Sequence, residues 1–333
     1  MGLPKGKGSM VPSLLSIKNL RTYFHTDLGL IRAVDDISFS MGFGETIGIV
    51  GESGCGKSVT ARTIMRLIPH PPGKIETGEI YFEGENLLSF SASEMRKIRG
   101  NKISMVFQDP MTSLNPVFKI GKQISETIKL HQGVSQKDAI EKSIEMLQMV
   151  GIPSPARRVI DYPHQLSGGM RQRVMIAMAL SCRPKLMIAD EPTTALDVTI
   201  QAQILNLMQK LKEETGASII LITHNLGIVA EMAQKVIVMY AGRIFEQASV
   251  RDLFRKHYHP YTDNLLKAIP KYETAGEGKR LHVIPGMVPG LLDLPKGCKL
   301  SNRCDRSFGK CFEEEPGLFE VESGHTARCW LYA

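Results

Sequence analysis

Eight consecutive residues, Gly51-Glu52-Ser53-Gly54-Cys55-Gly56-Lys57-Ser58, restrict the fold of this chain more than any other feature. They match G-x-x-x-x-G-K-[ST] and lie between an apolar run, Ile47–Val50, and a helical pattern, Lys57–Leu67. That strand–loop–helix context is the one a phosphate-binding loop requires. Glycines let successive backbone N–H groups wrap an anion without Cβ clashes, and the helix N-terminus adds partial positive charge. The backbone at Gly51, Ser53, Gly54, Cys55 and Gly56 is then the cradle. Lys57 is placed to reach β- and γ-phosphates, and the Ser58 hydroxyl to ligate Mg²⁺.

Apolar strand-length runs recur at Leu14–Leu20, Ile31–Ser40, Thr46–Val50, Ile103–Phe107, Leu186–Ala189, Ser218–Thr223 and Val236–Tyr240. Helical patterns occupy Ser135–Val150, Gly169–Ser181 and Ile200–Glu214. Buried strands alternating with helices predict an α/β domain around a mostly parallel sheet. Short links at Leu28-Gly29 and Gly42-Phe43-Gly44 predict an additional antiparallel portion. From about residue 113 the strand signal disappears and the chain reads as an inserted helical subdomain, about 113–182. After about residue 272 Gly, Pro and Cys rise and periodicity fades, which puts a boundary near Glu273–Lys279 and a small irregular extension over 273–333.

The chain has 333 residues, 43% hydrophobic and 23% charged, which excludes a disordered chain, a collagen-like repeat and a small disulfide scaffold. Its length suits two domains. No apolar run approaches the roughly 18 residues a membrane-spanning helix needs. The excess of 41 basic over 34 acidic residues could favour nucleotides, nucleic acid or an anionic membrane surface, but it is modest and reads first as solubility. No interleaving of aromatic and basic residues supports a nucleic-acid partner. Residues 1–13 read as a flexible tail, with Met10 an alternative start. The tail has neither the apolar core of a signal peptide nor the Ser or Thr that myristoylation of Gly2 requires.

A second apolar strand, Leu186–Ala189, ends in Asp190-Glu191. A carboxylate at the tip of a parallel strand beside a phosphate loop is suited to hold Mg²⁺, and the neighbouring Glu191 to orient or deprotonate an attacking water. An acidic pair alone is more often a turn into solvent.

Five further segments give the pair its context. Leu166-Ser167-Gly168-Gly169-Met170-Arg171-Gln172 precedes Asp190. Gln108 follows the run Ile103–Phe107, Ala195-Leu196-Asp197 follows Glu191-Pro192, His224 follows Ser218–Thr223, and Phe24 follows the first strand. In this order, over roughly residues 14–270, the chain resembles the nucleotide-binding subunit of an ATP-binding-cassette (ABC) transporter. The resemblance implies a head-to-tail dimer, with ATP sandwiched between the phosphate loop of one subunit and the LSGG segment of the other. Ser167 and Gly169 would contact the γ-phosphate of ATP on the partner, and Asp197 would cross the interface. Gln108 is implied as a Mg²⁺ and water contact, His224 as the γ-phosphate switch, and Glu191 as the catalytic carboxylate. Phe24, or less readily Tyr23, would stack on adenine. Met170 stands where many such proteins have Gln, and Asn225 where Asp is usual.

Three segments resemble one branch, the dipeptide, oligopeptide and nickel importers: Phe107–Pro116, His259-Pro260-Tyr261-Thr262 with Leu265-Leu266, and Ile284-Pro285-Gly286-Met287-Val288-Pro289. The extension they introduce holds Cys298, Cys304, Cys311 and Cys329, four thiols within 32 residues. Their spacing has neither the C-x-x-C knuckle of zinc ribbons nor the ferredoxin run, so zinc, an iron–sulfur cluster and no metal all stay open on spacing alone. The branch includes members with a cluster in this extension, which favours [4Fe–4S] with zinc as the alternative. A reducing cytosol makes disulfides an unexpected outcome. Cys55 and Cys182 read as core or loop thiols, with redox sensitivity of Cys55 a minor option.

The expected function is therefore ATP hydrolysis powering uptake of dipeptides or oligopeptides. Partners would be a second ATPase subunit (paralogue or self), two transmembrane permease subunits and an extracytoplasmic solute-binding protein. The location would be peripheral, on the cytoplasmic face of the membrane. A nickel importer and a non-transport soluble ABC ATPase are the alternatives. Repair and chromosome ATPases of this class carry long coiled coils, whereas Ser167 lies only 59 positions after Gln108 here. The cysteine site, lying beyond the ATPase motifs, is expected to be structural or to contact the permease.

Overall fold

The computed structural model describes residues 13–109, 113–194, 196–269, 284 and 286–333. Several expectations lie outside the described residues: all but Ser13 of the tail, Pro110–Thr112, Ala195, the Glu273–Lys279 boundary and Pro285.

The chain opens with a long hairpin, β1 (Leu15–Thr26) and β2 (Gly29–Met41), then crosses to β3 (Thr46–Val50). The first link, at Asp27-Leu28, makes the expected antiparallel pair. The second, Gly42-Phe43-Gly44, makes no hairpin, because β3 belongs to another sheet. After helix α1 (Lys57–Ile64) come β4 (Gly73–Phe82) and the two-residue β5 (Glu85–Asn86), completing a four-stranded antiparallel sheet of order β2-β1-β4-β5. β4 has no clean alternation in sequence. Its register against β1 breaks at Gly78, whose φ is +113°, and a Cβ there would stand 2.6 Å from Leu20 Cα. A bulge of this kind shifts side chains between faces and hides the period-2 signal.

Helix α2 (Ala92–Ile98) starts at a Ser91–Glu94 capping box and leads to β6 (Ile103–Val106). The helical portion follows: α3 (Ile120–Gln132), α4 (Gln136–Met149), the short α5 (Pro155–Arg158) and α6 (Gly168–Leu180). Ile120, Ile124 and Ile128 recur every fourth residue on α3 and are fully buried with Ala139, Leu147 and Val174 in one apolar cluster.

The chain then returns to the main sheet through β7 (Leu186–Asp190), α7 (Val198–Thr215), β8 (Ser218–Ile222), α8 (Leu226–Met232) and β9 (Lys235–Tyr240). β3, β7 and β8 are buried at every residue, as strands covered on both faces must be. Burying each Ile or Leu side chain in them contributes about 1.5–3 kcal/mol. Strands β9-β3-β8-β7-β6 run parallel in that spatial order. Their C-terminal ends share one edge, where α/β sheets bind ligands.

β10 (Arg243–Ser249) pairs antiparallel with β9, and α9 (Val250–Arg255) and α10 (Pro260–Lys267) follow. In the extension, α11 (Gly309–Glu313) leads to β11 (Phe319–Glu322) and β12 (His325–Ala327). β12 pairs with β10, so the extension lengthens the main sheet to eight strands. Its apolar residues Cys298, Leu300 and Cys311 pack with Tyr240, Phe245 and Tyr261. A segment that shares its core with distant strands needs no internal periodicity, which is why this region read as irregular.

Candidate nucleotide site

The parallel strands deliver four groups to one edge. β3 leads into the phosphate loop, Gln108 follows β6, Asp190-Glu191 ends β7, and His224 follows β8. The loop is held open by its glycines. Gly56, the N-cap of α1, has φ +102°, and a Cβ on it would sit 2.2 Å from the Ala33 carbonyl oxygen. Lys57 is buried and its Nζ donates to the carbonyls of Gly51 at 2.7 Å and Glu52 at 3.1 Å. Ser58 Oγ donates to Asp190 Oδ1 at 2.9 Å, which brings two of the three expected Mg²⁺ ligands together. Asp190 is buried, and burial pushes its carboxyl up.

Glu191 sits at φ +47°, a left-handed conformation that costs a β-carbon residue about 1–3 kcal/mol. Its Oε2 accepts hydrogen bonds from Gln108 Nε2 at 3.0 Å and Thr194 Oγ1 at 2.8 Å. His224 Nδ1 lies 3.7 Å from Oε1. An open cleft is lined by Phe24, Ser53, Gly54, Lys57, Ser58, Gln108 and Glu191 among others. Phe24 and Ile31 give it an apolar wall suited to a base. Tyr23 is committed elsewhere: its hydroxyl donates to Asp35 Oδ1 at 2.6 Å, and burial with that bond pushes the phenol up to about 12. Cys55 is buried and burial raises its thiol, so the side chain is a core group, packed under the loop with its Sγ 3.9 Å from Lys57 Nζ.

Ser167, Gly169 and Asp197 do not line this cleft. Ser167 N-caps α6, its Oγ accepting from Met170 N at 3.3 Å, and Asp197 caps α7 through Ile200 N at 2.9 Å. Gly169 lies against α7, where a Cβ would stand 2.9 Å from Ile200 Cγ2. The signature and the Asp197 turn thus form a second surface of the same chain. Both sequence departures have local reasons. Met170 packs on the helical apolar cluster, and Asn225 caps α8 by accepting from Gly227 N at 2.8 Å, a task Asn and Asp perform equally.

Three contributors escaped the sequence reading. Thr194 steadies Glu191; a hydroxyl three residues after a carboxylate in a turn is its only signal. Leu291, from the extension, lines the cleft. Arg303, also from the extension, pairs with Glu52 of the phosphate loop. Neither of the last two has a local signal, because the contacts span more than half the chain.

Cys298, Cys304, Cys311 and Cys329 line one small pocket with His259 and Trp330, and all are free thiols. Burial raises the thiols of Cys298, to about 12, and of Cys304 and Cys329, with the neighbouring cysteines adding to it. Among the described residues, no group of three or more His, Cys, Asp or Glu is arranged to hold a metal ion. Also among them, no helix is long and apolar enough to cross a membrane.

A phosphate loop at the edge of a parallel sheet, with a strand-end Asp-Glu pair and a separate signature surface, defines a nucleoside-triphosphatase cassette. Residues 34–194 match the ABC transporter family, and residues 245–311 match the oligopeptide/dipeptide transporter C-terminal region. The oligopeptide transport ATP-binding protein AppD of Bacillus subtilis is 51% identical over 96% of this chain and 97% of its own. The dipeptide transport ATP-binding protein DppD of Escherichia coli is 49% identical over 95% and 96%. The dimeric, post-hydrolysis structure of the ATP-binding cassette MJ0796 bound to ADP and Pi superposes with a TM-score of 0.64 at 29% identity, covering 71% of this chain and 99% of that one. The chain belongs to the ABC transporter ATP-binding family.

Proposed function

We propose that this chain is the ATP-hydrolysing subunit of an importer that takes up dipeptides or oligopeptides through separate permease subunits. The carrying observation is the division of the site: Lys57, Ser58, Gln108 and Glu191 line one cleft while Ser167 stands on another surface of the chain. Such a division asks for a second subunit, paralogue or self, to complete each site head to tail. The match of residues 245–311 and the names of the relatives support a peptide as cargo.

In this reading residues 14–272 are the nucleotide-binding domain, with its helical subdomain over about 113–182, and 273–333 form the extension. The backbone from Gly51 to Gly56 and Lys57 bind the phosphates, and Phe24 supports adenine. Ser58, Asp190 and Gln108 would hold Mg²⁺, which draws charge from the phosphate oxygens when bound. Glu191, fixed by Gln108 and Thr194, takes the proton of the attacking water, and His224 steadies the γ-phosphate. Ser167, Gly169 and Asp197 act on the nucleotide of the partner. The subunit works at the cytoplasmic face of the membrane with two permease subunits and an extracytoplasmic binding protein, and no nucleic acid is involved.

The four cysteines border one pocket without being arranged, among the described residues, to hold a metal ion as they stand; the softness of their thiols is what supports a [4Fe–4S] cluster, with zinc as the alternative. Anaerobically purified protein should be brown, with iron and sulfide near four each per chain. One zinc in a colourless preparation assigns the site to zinc. No metal, with a Cys304→Ser variant as protease-resistant as wild type, removes the metal site. The transport reading is tested by co-expression with candidate permeases: peptide should stimulate ATP turnover of the assembled complex. Stimulation by nickel alone shifts the cargo, and failure to assemble with any membrane subunit favours a soluble ATPase.

A further inference from the structure

Arg303 stands in the turn between the first two cysteines of the extension, directly before Cys304, yet its side chain ends on the phosphate loop. Nη1 donates to Glu52 Oε2 at 2.9 Å and Nη2 to Glu52 Oε1 at 3.0 Å, a bidentate pair between residues 251 positions apart. Nη1 also donates to Tyr240 Oη at 3.1 Å, and the guanidinium lies 5.7 Å from that ring's centre. The arginine side chain is only 5% exposed and the Glu52 side chain 25%, so the pair is partly shielded from solvent and salt. The rest of Glu52 is held as well. Its backbone N–H donates to Tyr261 Oη at 2.9 Å, and its carbonyl accepts from Lys57 Nζ.

Glu52 is the first variable residue of the loop, and its carboxylate is the one negative side chain within the motif. Uncompensated, it would repel the polyphosphate that the loop is built to receive. Leu291, from the same extension, borders the cleft independently of this pair. We propose that Arg303 is a positioning residue for ATP: it neutralises Glu52 and holds the first turn of the phosphate loop, making the cysteine-bearing extension a determinant of nucleotide affinity. The inference rests on the nucleotide-site reading of the loop.

The test uses the full chain, a fluorescent ATP analogue for affinity and phosphate release for turnover. Arg303→Met should weaken ATP binding about tenfold, the scale of one unpaired, half-buried charge, and raise KM while leaving kcat within about twofold. Adding Glu52→Gln in that background should restore affinity to within about threefold of wild type, because the repelling charge is gone. A merely structural anchor predicts the opposite, since the double variant lacks both partners. Arg303→Lys keeps the charge but loses the fork, and should show a loss of about threefold. Affinity of Arg303→Met within twofold of wild type overturns the proposal, as does a double variant no better than Arg303→Met. Where Arg303→Met does not fold, wild-type affinity in Arg303→Lys overturns it. Wild-type binding insensitive to Lys57→Ala would instead refute the nucleotide-site reading itself.

Discussion

Replacing Glu191 by Gln isolates the chemical step. Both hydrogen bonds to this carboxylate, from Gln108 and Thr194, converge on Oε2. The amide oxygen of Gln can take that place, leaving the NH₂ at the Oε1 position 3.7 Å from His224 Nδ1. The fold and the local geometry then survive, and the stability change should stay within about 0.5 kcal/mol. What is lost is proton acceptance. A positioned general base contributes roughly 10²–10⁴-fold, which corresponds to about 2.7–5.5 kcal/mol of barrier. Steady-state phosphate release should fall at least a hundredfold on that scale, while ATP affinity holds within about twofold. ATP should also trap the variant as a dimer in size-exclusion chromatography, because hydrolysis no longer separates the subunits. Turnover within about threefold of wild type, less than roughly 0.7 kcal/mol of barrier, would refute Glu191 as the base.

Ser167→Arg should abolish turnover while leaving ATP affinity of the monomer nearly intact; a large loss of monomer affinity contradicts the head-to-tail arrangement. Gly56→Ala should prevent nucleotide binding, since the Cβ would meet the Ala33 carbonyl at 2.2 Å in a backbone conformation with φ +102°, and calorimetry should find no ATP heat. Glu246, fully buried, accepts from His325 Nε2 and from the backbone N–H groups of Tyr258 and His259, so Glu246→Ala should cost about 3–5 kcal/mol in denaturant unfolding. Burial raises the Glu246 carboxyl, but these hydrogen bonds outweigh it and hold it below its ordinary 4.5. Its contribution is therefore fully present above pH 4.5 and lost as pH falls through the lower folded value, a component that Glu246→Gln should remove from the acid-unfolding curve.

Much of the nucleotide site was legible because its groups sit at strand ends. A strand buried on both faces writes a continuous apolar run, as in Thr46–Val50 and Ser218–Ile222, and the residue just past the run is delivered to the sheet edge. Gln108, Asp190, Glu191 and His224 are all of this kind. Local backbone demands were equally readable at the loop glycines, which admit conformations that β-carbons forbid, whereas the N-cap places of Ser167 and Asp197 came from the structure. The sequence alone thus determined the cassette, many of the residues that border its cleft and the crowding of cysteines near the C-terminus. Only the tertiary structure decided which sheet each strand joins, sending the chain from β2 across to β3 and hiding β4 behind a bulge. It also decided that β12 closes onto β10, that the four cysteines share a pocket, and that Arg303 reaches Glu52. Those pairings join residues far apart in the chain, and no local periodicity encodes them. They follow from which apolar surfaces can be buried together, a property of the whole packed molecule.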